Sequence, residues 1–255
     1  MEEVQDAYAR AYALDPHNGI ILSDGSYYYA TTGRPSQGLE MAFQEVRLDP
    51  NNPNTRWHAV LPLLFMGDTE RTAAWLQLAR DEGMAYHRLS AAEAGLALMR
   101  GNTEQAAEIA RDMLARWPDI QEARLMARPL LFLTGNVGEV AEAVLTVGRE
   151  TPEAWSMSAL APRSQRALMG FVLAEQGQEA AARRAFDEVL AAAEAAVANG
   201  STWQGRPLDA ASVHAHRGDH EAALRAVVRH LVDEFAVAQH GDPIADPEDL
   251  GDPMG

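Results

Sequence analysis

Apolar residues in this chain recur at intervals of three and four, and Gly, Asn, Asp and Pro interrupt them at regular points. Val4, Ala7, Tyr8, Ala11, Tyr12 and Leu14 make one stripe and predict a helix over residues 1–14. Pro16 disfavours helical geometry at Asp15, and Asn18 can cap a second helix over 19–32, with Leu22, Tyr28 and Tyr29 along it. Gly33 can close that helix in the left-handed conformation. A third, 35–48, opens at Pro35 and carries Leu39, Met41, Ala42, Phe43, Val46 and Leu48. The same punctuation predicts helix pairs at 53–66 with 69–82, 87–100 with 103–117, and 120–134 with 137–150. Pro62 and Pro129 fall inside two of these helices, where each removes a backbone hydrogen bond and is expected to bend its helix. The bends either shape a groove or are irregularities of stacking. Farther on, an alanine-rich helix over 179–198 bears Phe186, Val189, Leu190 and Val197, and a last pair is expected at 208–217 and 219–238.

These segments keep time. Leu14-Asp15-Pro16-His17-Asn18 returns 34 residues later as Leu48-Asp49-Pro50-Asn51-Asn52, and Gly33, Gly67, Gly101 and Gly135 stand at the same interval. Pro118 and Pro152 continue the proline series, which only Met84 breaks. The turns carry cap chemistry, a glycine followed by Asp or Asn, in Gly67-Asp68, Gly101-Asn102, Gly135-Asn136 and Gly218-Asp219. The next turn glycines after Gly135, Gly177 and Gly218, arrive late, which places insertions at about 155–163 and 199–207. A period of this length predicts helical hairpins stacked into one continuous array. The array is expected to be a single domain over 1–238, strict in register to 154 and looser after it. Residues 239–255, acidic and rich in Pro and Gly, are expected to be disordered.

Composition narrows the function classes. The formal net charge of -16 argues against binding phosphate backbones. Without cysteine there is no disulfide, thiolate catalysis or cysteine zinc site. No apolar stretch approaches the roughly 18 residues of a membrane span. Met1-Glu2-Glu3 lacks the basic-then-apolar order of a signal peptide, so a cytoplasmic protein is expected.

The two-helix unit resembles the tetratricopeptide repeat, most clearly in Ala11-Tyr12-Ala13-Leu14-Asp15-Pro16, in Ala42 through Asn52, and in Gly101-Asn102-Thr103-Glu104-Gln105-Ala106. The resemblance implies an all-α fold, a right-handed superhelical solenoid of about six helix-turn-helix repeats. Ser26, Val60 and Arg128 depart from the family's first-helix glycine. Gly38, Thr72 and Val140 depart from its second-helix alanine, while Ala94 and Ala106 keep small residues. The chain is also similar to the arrays that follow output domains in bacterial regulators such as nucleotide cyclases and winged-helix activators. Residues 2–14 match the second helix of a repeat whose first helix is missing, so Met1 is either an internal start or the beginning of a capping helix.

By this resemblance the first helix of each pair lines a concave groove for a peptide or helical segment. Register assigns Ser23, Asp24 and Tyr27, then Asn54, Trp57, His58 and Leu61, then Arg88, Ala92 and Gly95, then Glu122, Leu125, Met126 and Pro129 to that face. Tyr27, Asn54, Trp57, His58, Leu61, Arg88 and Met126 are the candidate contacts, with Trp57 the leading anchor. The alternative for Tyr27, Trp57 and Leu61 is packing between neighbouring helices. Trp155 and Trp203, one in each insertion, form a secondary candidate patch or else plug the packing beneath a long loop. His214 and His216 point about 200 degrees apart on a helix and Gly218 separates His220, so no metal site is expected, and no cofactor motif appears. The expected function is a non-catalytic scaffold for a protein or peptide partner, with no nucleic acid or membrane involved. The alternative is the regulatory segment of a larger bacterial signalling enzyme or transcription regulator. An all-α enzyme in the groove would reveal itself by titratable groups converging around His58, Asp24 and Arg88.

Overall fold

A computed structural model describes residues 2–32, 34–151, 155–156, 163–199 and 205–226. Among these the protein is all-α apart from one two-residue strand pair. The helices are α1 Glu2–Leu14, α2 Gly19–Thr31, α3 Pro35–Leu48, α4 Pro53–Phe65, α5 Thr69–Asp81, α6 His87–Met99, α7 Thr103–Arg116, α8 Gln121–Leu133, α9 Val137–Glu150, α10 Gln165–Glu175, α11 Glu179–Ala198 and α12 Gly205–His216. Residues 220–226 are also helical. None of the described helices is long and apolar enough to cross a membrane. Gly33, Trp203 and the 239–255 tail lie outside the described residues.

The boundaries follow local chemistry. Asn18 accepts hydrogen bonds from the backbone N–H of Ile20 and Ile21, Asn52 from Asn54, Asp68 from Arg71 and Asn102 from Gln105, each satisfying a donor that the first helical turn leaves open. Asn136 stands at the same place but makes no such bond: its side-chain oxygen accepts from Arg111 at 3.1 Å and its amide donates to Thr134. At the other ends Gly67, Gly101, Gly135, Gly177 and Gly218 all adopt positive φ. Gly83 joins them at φ 72°, which explains how α5 stops where Met84 replaces the recurrent proline. Helices α4 and α8 run unbroken through Pro62 and Pro129. The first insertion contains an antiparallel pair, β1 (Trp155–Ser156) and β2 (Arg163–Ser164), with Trp155 opposite Ser164.

Packing joins each helix to its successor and, from α2 to α8, each first helix to the next first helix: α2 to α4, α4 to α6 and α6 to α8. How closely the two helices of a hairpin approach follows two residue sizes. Ser26 faces the α3 side with Gly38, Gly170 with Ala182 and Ala94 with Ala106 at equivalent register, and these hairpins, α2–α3, α10–α11 and α6–α7, bring their backbones closest. Val60 and Thr72 hold α4 and α5 farther apart, and Arg128 with Val140 leaves α8 and α9 the loosest pair. A cluster including Met126, Leu130, Leu131, Val140, Val144, Leu168 and Val172 still carries the apolar core across that pair. The stripe of α1 is only partly covered: Tyr8 stacks on Tyr28 at 5.1 Å and Tyr12 donates to Gln44 at 2.9 Å, while Leu14 is 86% exposed.

Candidate functional site

The row α2, α4, α6 and α8 contains every residue of the expected groove, and it divides them sharply. Helix α4 is buried at every position from Thr55 to Leu64. Trp57, His58, Leu61 and Met126 are 3%, 3%, 2% and 3% exposed. Trp57 and Leu61 pack in one cluster with Ala30, Val60, Leu64, Leu76, Leu89 and Ala92, so of the two readings open for them the structure places them between helices. Met126 belongs to the neighbouring cluster. Side chains this enclosed give a ligand no surface. Tyr27, Asn54 and Arg88 remain half-buried, as do Ser23 and Leu125, while Asp24 is exposed.

The accessible residues converge at the N-terminal ends of the first helices. Ile20, Asn54, Arg88 and Glu122 occupy the same register on α2, α4, α6 and α8, and three of them are bonded to one another. Arg88 donates to Asn54 Oδ1 at 3.0 Å and, through Nε, to Glu122 Oε1 at 2.9 Å. His87 donates through Nε2 to Glu122 Oε2 at 2.9 Å, and the Tyr86 hydroxyl donates to Asn54 Oδ1 at 3.1 Å. Both Glu122 oxygens and the Asn54 oxygen are therefore taken. Because guanidinium can only donate, Asn54 must turn its oxygen to Arg88, which leaves both N–H donors of its amide without a partner among the described residues. The Tyr27 hydroxyl is likewise unpaired among them, and its pKa is raised by burial and by Glu122, with Arg88 opposing. Tyr86 and His87 lie outside the expected set. The available sign was that Tyr86 replaces the capping Asn of the two preceding units, Asn18 and Asn52.

Burial acts on Glu122 to raise its pKa, but the hydrogen bonds from His87 and Arg88 and their charges outweigh it, and the carboxyl is held below its ordinary 4.5. A depressed carboxyl contributes stability above the unfolded pKa and loses it as pH falls through the folded one. Glu122→Gln should therefore cost about 1 kcal/mol or less at pH 6, in keeping with a half-exposed pair, and the difference from wild type should fade as the solution is acidified through the lowered titration range of the carboxyl. Urea denaturation of both proteins at pH 6 and in acid measures this; a difference that persists in acid would exclude the carboxylate as its source.

His58 belongs to a different arrangement. Its Nδ1 lies 2.8 Å from Glu45 Oε2, and Ser23 Oγ lies 3.3 and 3.4 Å from its two ring nitrogens. The residue types match a serine, histidine and acid set, yet a hydroxyl nearly equidistant from both nitrogens is on the lone-pair axis of neither. The buried His58–Glu45 pair ties α4 to α3. Asp24 and Arg88 do not join it: Arg88 is bonded to Asn54 and Glu122.

Trp155 lies on β1, which packs against α8. No group of three or more His, Asp or Glu able to hold a metal ion occurs among the described residues. No protein-family model matches the chain, and no curated protein matches it.

Proposed function

We propose that the chain is a tetratricopeptide-like array of about six hairpins, wound as a right-handed superhelix, that works in the bacterial cytoplasm as a non-catalytic scaffold for a segment of another protein. The segment lies across the N-terminal ends of α2, α4, α6 and α8 rather than over their middles. One observation carries this reading: the Asn54 amide, half-buried in the row, has its oxygen fixed by Arg88 and Tyr86 and both its N–H donors unpaired among the described residues. Such an amide suits a backbone carbonyl of an extended chain, and Ile20, 74% exposed one unit away, offers the apolar contact beside it. Arg88 and Glu122 neutralise each other, so the surface selects for backbone and shape more than for a charged terminus.

Asn54→Asp tests this, because it keeps an acceptor for Arg88 and Tyr86 and deletes the donors, with one added negative charge that faces the Arg88 guanidinium. Peptides enriched from a random display library on the wild-type chain should bind Asn54→Asp about tenfold more weakly. No enrichment on wild type, or equal binding to both proteins, would sink the reading.

A further inference from the structure

Helix α8 sets two cations side by side with no acid to meet them. Arg124 and Arg128 lie one turn apart on one face of the helix, and both are half-buried. Arg124 donates to the Pro118 carbonyl and to no carboxylate among the described residues. Arg128, at the register of Ser26 and Ala94, makes no hydrogen bond or ion pair among them at all. Burial, and after it the charge of Arg124, lower the pKa of Arg128. Guanidinium stays charged at neutral pH even so, and each one carries five N–H donors.

The acids that could answer this pair do not. Arg56, at the register of Arg124, is buried and joined to Glu82, whereas Glu150, at the register of Glu82, is exposed and makes no ion pair among the described residues. Asp119, just before α8, is likewise exposed and makes none. Glu122 projects roughly 200 degrees round the helix from Arg124 and is held by His87 and Arg88. Arg10, Arg47, Arg100, Arg149, Arg183 and Arg184 also lack an ion pair among the described residues, but all six are exposed, where water screens a lone charge. In a chain of formal net charge -16, a shortage of carboxylates is not the reason that the half-buried pair has none. Two adjacent cations partly withdrawn from water cost free energy that an incoming anion recovers.

We propose that Arg124 and Arg128 bind a small oxyanion carrying two charges, inorganic phosphate or a phosphomonoester. Two guanidinium groups balance a dianion, and their planar forks match its oxygens in pairs. The net acidity of the chain repels a long polyanion, which would spread its charge beyond the two arginines, so the ligand is compact. The site uses no donor of Asn54 and does not rest on the scaffold reading.

The probe is inorganic phosphate, titrated at constant ionic strength into the full chain at about pH 7, where a phosphomonoester is close to dianionic. Backbone amide resonances of residues 124–128 should shift and saturate in the millimolar range. Acetate, with one charge and two oxygens, should bind about tenfold more weakly. Arg128→Gln and, separately, Arg124→Gln should each weaken phosphate about tenfold, so that one variant suffices if the other fails to fold. Arg10→Gln, which removes an exposed cation, should leave the affinity unchanged. Methyl phosphate separates the two sources: binding equal to that of inorganic phosphate marks an esterified phosphoryl group, its exclusion marks the free ion, and either supports the site. Absence of saturation by roughly 20 mM phosphate, acetate binding as tightly as phosphate, or Arg10→Gln weakening binding as much as the α8 variants would each overturn the assignment.

Discussion

Trp57→Ala should lower the unfolding free energy by about 3–5 kcal/mol, the range for deleting a fully packed tryptophan. The side chain is 3% exposed and contacts a cluster drawn from α2, α4, α5 and α6. Helix α4 is buried from Thr55 to Leu64, so no neighbouring face can move in to fill the space without disturbing a second contact. Equilibrium urea denaturation followed by helical circular dichroism measures the loss. A cost below about 1 kcal/mol would mean that the ring is not part of the core. The prediction also bears on function, because a tryptophan that holds three hairpins together would impair binding through unfolding and not through a lost contact.

Three glycine-to-alanine substitutions, indistinguishable as changes in helical sequence, should give three different results. A methyl at Gly38 would stand 2.6 Å from the Ser26 carbonyl oxygen and 3.0 Å from the Ala30 nitrogen, both backbone atoms, so α2 and α3 must separate. Overpacking of this kind costs about 1–3 kcal/mol and outweighs the gain of up to about 1 kcal/mol from alanine's helix propensity. At Gly25 the obstacle is the end of the Met41 side chain, at 2.5 and 2.8 Å, which can swing aside, and the two effects should nearly cancel. At Gly138 nothing lies within 4 Å, so alanine should stabilise by up to about 1 kcal/mol. Thermal midpoints of the three variants order them. If Gly38→Ala gained stability as Gly138→Ala does, the close approach of α2 and α3 would be refuted.

The sequence made the helices legible because their ends depend on neighbours within four residues. Asn18, Asn52, Asp68 and Asn102 cap where the spacing predicts, and Gly67, Gly101, Gly135, Gly177 and Gly218 turn where they should. The spacing of the hairpins has a counterpart in the sequence too, since the small residues Ser26, Ala94 and Gly170 stand in the three close pairs and the bulkier Val60 and Arg128 in the two looser ones. The groove was harder to read. Arg56 and His58 are the polar residues that make α4 look half-exposed, yet they are paired with Glu82 and Glu45, 26 and 13 residues away, and pairing at that distance leaves no mark in local periodicity. Register correctly grouped Asn54, Arg88 and Glu122, but not Tyr86 and His87, which enter from the turn before α6 and from its first residue. The strand pair at 155–164 was hidden because two residues are too few to alternate.

Arg128 gives the array an uneven stiffness. Where backbones touch, as between α2 and α3, bending the stack compresses atoms that cannot yield; between α8 and α9, side chains separate the backbones and deform at lower cost. Of the two pairs, α8–α9 is therefore the one expected to yield when the stack is bent, and α2–α3 the one expected to hold its geometry.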